Sequence, residues 1–139
     1  MQPAIPLGVP QMDADHATIE AMFEAIVAAG DDVLADRYHE LEAEVIAHFA
    51  REEELMAKHG APVAHCHKTQ HNLLLGEFAA ARAHADAGDF DTLRRAIVVL
   101  AELVHSHVGS VDRVTAQFLG GELDQRMVDA LRLPIEAGA

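Results

Sequence analysis

Between Asp13 and Phe118 the sequence repeats one device four times: apolar residues three and four positions apart, closed by a glycine. Ile19, Met22, Phe23, Ile26 and Val27 form the first stripe. Leu34, Tyr38, Leu41, Val45, Phe49 and Leu55 form the second. Leu74 and Phe78 mark the third. Leu93, Ile97, Leu100, Val104, Val108 and Val111 form the fourth. Such spacing puts apolar groups on one side of a 3.6-residue helix and leaves the other side for water. Gly30, Gly60 with Pro62, Gly88 and Gly120–Gly121 punctuate the stripes. Glycine accepts the left-handed conformation that ends a helix, and proline cannot continue one.

These signals predict helices over about 13–29, 33–59, 64–87 and 90–118, with Asp13 or Asp15 capping the first and Asp89 or Asp91 the fourth. A short amphipathic tail helix, ELDQRMVDALR, is expected over about 122–132. Short turns between long amphipathic helices make neighbours antiparallel, so the expected fold is all-α, an antiparallel up-down four-helix bundle. At 139 residues, with no repeat or linker, residues 1–139 are expected to form a single domain.

Composition narrows the function. Half the residues are apolar but only 4% are aromatic, and the formal charge is −13. An acidic chain lacks the basic face that nucleic acid or an anionic membrane surface requires. No apolar run approaches the ~20 residues of a membrane span. The start, MQPAIPLGVPQ, has no basic region ahead of an apolar one and makes a poor signal peptide. One cysteine, Cys66, excludes an intrachain disulfide and suits a reducing compartment. A cytoplasmic protein is expected. Ten histidines equal Lys and Arg together, and this is the unusual number.

Several of these histidines continue the apolar stripes. His16 precedes Ile19 and Phe23; His48 and Glu52 fall between Val45 and Leu55; His67 and His71 lead into Leu74 and Phe78; His107 follows Leu100 and Val104. Counted back from the turns, they lie within roughly one helical turn of a common depth at ~1.5 Å per residue. Buried polar groups cost about 1–3 kcal/mol each when unpaired. Five neutral imidazoles with carboxylates make a ligand set for one or two transition-metal ions. His48–Glu52 and His67–His71 are i,i+4 pairs, about 40° apart on a helix, so each can reach a common centre.

In order, the segments MDADH (to His16), HFAREEELM (His48–Met56), Pro62, HKTQH (His67–His71) and HVGSVD (His107–Asp112) resemble the hemerythrin family, in its bacterial single-domain form. The resemblance covers all four helices. It implies a non-haem centre of two Fe ions with an oxo or hydroxo bridge. One iron would be held by His67, His71 and His107 and the other by His16 and His48, with Glu52 and Asp112 bridging. It also implies reversible O2 binding at the open position of the two-histidine iron, beside Phe49, Leu103, Val104 and Val108. This chain departs from the family pattern at Ala61, where tyrosine is usual, at Leu103, where an aromatic is usual, and at Val104, where leucine is usual. A roomier pocket, faster autoxidation and admission of other small diatomic ligands are the expected consequences.

His107 and Asp112 are five apart, about 140° around a regular α-helix. Both reach one centre only where the helix widens, and Gly109–Ser110 is the expected place for a π-type turn. His105 faces off the stripe. His39, His59, His65 and His84 read as surface residues, Cys66 as a small helix residue, and Glu53 and Glu54 as a solvated acidic face. The function expected is O2 carriage, storage or sensing by a monomer or small homo-oligomer, and not an enzyme. The rivals are a di-iron oxidase or peroxidase and an iron or nitric-oxide handling protein. Carboxylate-rich di-iron enzymes use two ExxH motifs, and here only Glu102–His105 fits.

Overall fold

The computed structural model describes residues 5–61 and 63–120, all helix and turn with no strand among them. Helices α1 (Pro10–Ala28), α2 (Asp31–His59), α3 (Ala64–Ala87) and α4 (Phe90–His107) form the bundle. A π-helical turn, Val108–Asp112, and a short α5 (Arg113–Leu119) continue α4. The tail helix expected over 122–132 lies outside the described residues.

The stops are those the glycines predict. Gly60 and Gly88 adopt φ of +62° and +70°, and the amides of Gly60 and Ala61 bond back to Ala57 and Met56. Acidic Asp31 and Asp32 open α2 while Lys58 stands in its last turn, each charge opposing the helix dipole. Asp89 caps α4 by accepting from the Thr92 amide.

The start of α1 corrects the sequence reading. Pro10 occupies its first turn and Val9 is the extended residue before it, so neither Asp13 nor Asp15 is the cap. Asp13 instead accepts from the amides of Leu7 and Gly8, at 2.7 and 3.0 Å, and pins the preceding segment onto the helix. A proline is favoured at a first helical position because its missing N–H has no partner there anyway. Likewise α2 begins at Asp31, two residues before the predicted Val33.

The stripes meet in a core that includes Phe23, Ile26, Leu34, Tyr38, Leu41, Val45, Phe78, Leu93 and Ile97, each no more than 2% exposed. Fully burying one such side chain is worth about 1.5–3 kcal/mol. Val27, placed on the stripe by spacing, is 57% exposed and lies off it. Tyr38 donates its hydroxyl to the Phe78 carbonyl, so the one tyrosine of the core is satisfied across α2 and α3. Arg94 ties α4 to the α1–α2 turn through the Ala29 carbonyl and Asp31. The apolar half of the bundle thus lies toward these turns, and the polar stripe residues gather beyond it.

Candidate metal centre

His16, His48, Glu52, His67, His71, His107 and Asp112 converge from α1, α2, α3, α4 and the π-turn, and none is more than 5% exposed. The π-turn supplies the widening that His107 and Asp112 require: its i→i+5 pattern brings residues five apart toward one face. The Asp112 carboxylate is fully buried.

The two carboxylates divide their oxygens between two groups of imidazoles. Glu52 turns Oε1 to Nε2 of His71 at 3.0 Å and of His67 at 3.4 Å. Its Oε2 faces Nε2 of His48 at 3.1 Å and of His16 at 3.4 Å. Asp112 turns Oδ1 to His67 at 2.7 Å and His107 at 3.0 Å, and Oδ2 to His16 at 3.0 Å. Two overlapping clusters result: His67, His71 and His107 with both carboxylates, and His16 and His48 with both carboxylates. Within each, the candidate donor atoms lie within 4.8 Å of one another.

Hydrogen bonding does not account for this arrangement. Nε2 of His16, Oε2 of Glu52 and both oxygens of Asp112 are buried without a hydrogen bond, although His16 lies at ion-pair distance from both carboxylates. Nε2 of His67 and His107 face each other at 3.2 Å. An unsatisfied buried polar atom costs about 1–3 kcal/mol, a cost that a shared cation would remove. Imidazole and carboxylate donors with no sulfur among them suit iron, zinc or manganese.

Electrostatics point the same way. Burial alone would lower the pKa of His16 and His67, but Asp112 and Glu52 overcome it and push each up to about 9. His48 is raised against its burial by Glu52 and Asp15. His107 is lowered, because burial outweighs Asp112 there. Burial works against ionising Glu52 and Asp112 too, yet the surrounding imidazoles hold both well below the usual carboxylate range. The two carboxylates thus favour a positive charge on His16 and His67.

Three partners behind the imidazoles were not legible in the sequence. Asp15 accepts from Nδ1 of His48 at 2.9 Å and is itself held by Arg51, also at 2.9 Å. Glu53 accepts from Nδ1 of His71 at 2.9 Å, so it is no part of a purely solvated face. The Thr115 hydroxyl meets Nδ1 of His67 at 2.7 Å. A proton fixed on Nδ1 leaves Nε2 as the lone-pair donor facing inward. The Phe49 ring stacks on His71, centroids 3.8 Å apart and planes within 4°, which fixes that ring as well. The available signals were the Asp next to His16, the run of three glutamates Glu52–Glu54 and a threonine eight positions beyond His107, none of them distinctive without the fold.

A cavity of about 50 Å³ opens beside His16, His48, His107 and Asp112. Phe49, Val104 and Val108 line it, joined by Ile19, Phe23 and Ile5, which sequence had not placed there. Leu103 does not line it. It is 37% exposed, about 100° around α4 from Val104 and so off the stripe.

The description "Hemerythrin HHE cation binding domain" matches residues 7–119. The chain belongs to the hemerythrin family. A bacteriohemerythrin of Ralstonia nicotianae is 29% identical over 116 residues, covering 84% of this chain and 85% of that relative. No solved structure matches the chain. The hemerythrin match contains every helix among the described residues and all seven clustered residues, and the description's cation binding agrees with the unsatisfied donor set.

Proposed function

We propose that this hemerythrin holds two iron ions in the cluster and binds O2 reversibly beside them, for carriage, storage or sensing in the cytoplasm. His67, His71 and His107 would hold one iron, His16 and His48 the other, and Glu52 and Asp112 would serve both. The observation that carries this reading is the split of each carboxylate, one oxygen toward each imidazole group. A single-ion site would have no use for that division. When bound, a diferrous pair supplies two electrons that O2 can take up and return.

The chain's own residues do the rest. Asp15, Glu53 and Thr115 hold three imidazoles in the tautomer that ligates. Two carboxylates against five neutral imidazoles offset part of the charge of two cations in a dry core. The cavity's deep wall, from Ile19, Phe23, Phe49 and Val108, is apolar and buried, which limits water and protons beside the cluster. Its polar lining other than cluster residues is Glu20 and His105, both half-buried at its outer side.

The oxidase reading is the less supported. Glu102, the carboxylate of the lone ExxH pair, is exposed and lines an outer groove instead of the cluster. No helix among the described residues is long and apolar enough to cross a membrane. Anaerobic loading with Fe(II), followed by absorption spectra over repeated O2 and argon cycles, tests the proposal. A visible band that appears and disappears with O2 is expected. Irreversible bleaching in the first cycle, with turnover of an added reductant, points to an oxidase instead.

A further inference from the structure

Most of the residues around the cavity beside the cluster are buried. Its half-buried lining residues are Ile5, Glu20, Ala101, Val104 and His105, from the N-terminal segment, α1 and α4. Along the same seam the surface carries a groove of about 730 Å³ lined by Glu24, Val27, Val98 and Glu102 among others. Ala101 and His105 line both spaces. They are one turn apart on α4, so a single layer of side chain separates groove from cavity, and at Ala101 that layer is a methyl group. Among the four long helices of the bundle, the α1–α4 seam is the sparsest between neighbours.

We infer that small uncharged ligands enter and leave the cavity through the α1–α4 seam past Ala101 and His105, and that these two residues set the rate of exchange. Val27 and Val98, 57% and 54% exposed, give the groove an apolar wall suited to a neutral diatomic. A half-buried imidazole can change rotamer quickly, whereas the alanine offers only its small size. The identity of the ligand rests on the proposed function; the route through the seam does not.

Ala101→Leu fills the thin part of the partition. Stopped-flow O2 association and dissociation on the iron-loaded protein should both slow by about tenfold, because the barrier between groove and cavity has been raised. His105→Ala should speed both, and it keeps the test decisive if Ala101→Leu fails to fold by circular dichroism. Val99→Leu, at a 52% exposed position on the outer face of α4, should leave the rates alone. Xenon exchange into the metal-free protein, followed by 129Xe NMR, should slow in Ala101→Leu as well. Unchanged O2 and xenon exchange in both variants overturns the inference. So does acceleration by Ile5→Ala alone, which puts the route beneath the N-terminal segment. If the iron-loaded protein takes up no O2, the functional reading fails while the xenon experiment still decides the route.

Discussion

Replacing Asp112 with asparagine keeps the shape of the side chain and removes its charge, so the consequence is electrostatic with no cavity left behind. In the metal-free protein, Asp112 and Glu52 raise His16 and His67 from about 6.5 to about 9. At pH 7 such a shift corresponds to about 2–3 kcal/mol of linked stability per histidine. Asp112 acts more strongly than Glu52 on both histidines. Assigning it half of each shift gives a loss of about 2–3 kcal/mol, or roughly 8 °C in Tm for a chain of this size. The sign depends on pH. A raised histidine contributes fully below about 6.5 and loses its contribution as pH rises through about 9, so the deficit should shrink between pH 7 and 9.5. Thermal denaturation of wild type and Asp112→Asn by circular dichroism across that range measures both numbers. A variant as stable as wild type at pH 7, or a deficit just as large at pH 9.5, would refute the reasoning.

Metal loading should run opposite to metal-free stability. Cations must displace protons from His16 and His67, so affinity should rise from pH 6.5 to 9; calorimetry at pH 7.5 in buffers of different ionisation heat should show proton release, and none contradicts the assigned ligands. Val104→Leu should narrow the cavity and lengthen the life of the O2 complex, measured as the decay of its absorption; an unchanged or shorter lifetime removes Val104 as the cause of faster autoxidation. Glu53→Gln and Thr115→Val leave the cluster intact but loosen His71 and His67, and each should weaken metal binding about 10-fold or more. Competition with a chelator measures this, and wild-type affinity in both would show that these hydrogen bonds orient nothing.

The repeated stripes and their glycine stops announced four helices because burial and chain reversal are local demands. Leu34, Leu41 and Leu93 had to go inside and Gly60 and Gly88 had to turn. The histidines on those stripes announced the centre for the same reason, since an imidazole at a core position needs a partner. Asp112 was different. On a regular helix it points away from His107, and only the family resemblance and the glycine between them suggested the π-turn that turns it inward. Asp15, Glu53 and Thr115 stayed hidden because an outward Nδ1 chooses its partner across helices, where spacing carries no signal. The failures follow similarly: the N-terminal segment recruits Asp13 away from capping, and Leu103 sits one residue, hence about 100°, from the position that faces the cavity.

The central claim is that Glu52 and Asp112 are shared between two cations, and native mass spectrometry of the chain loaded anaerobically with Fe(II) tests it most directly. Two irons per wild-type chain are predicted, with loss of at least one on changing either Glu52 or Asp112 to alanine. A wild-type chain carrying one iron or none, or both alanine variants still carrying two, would contradict it.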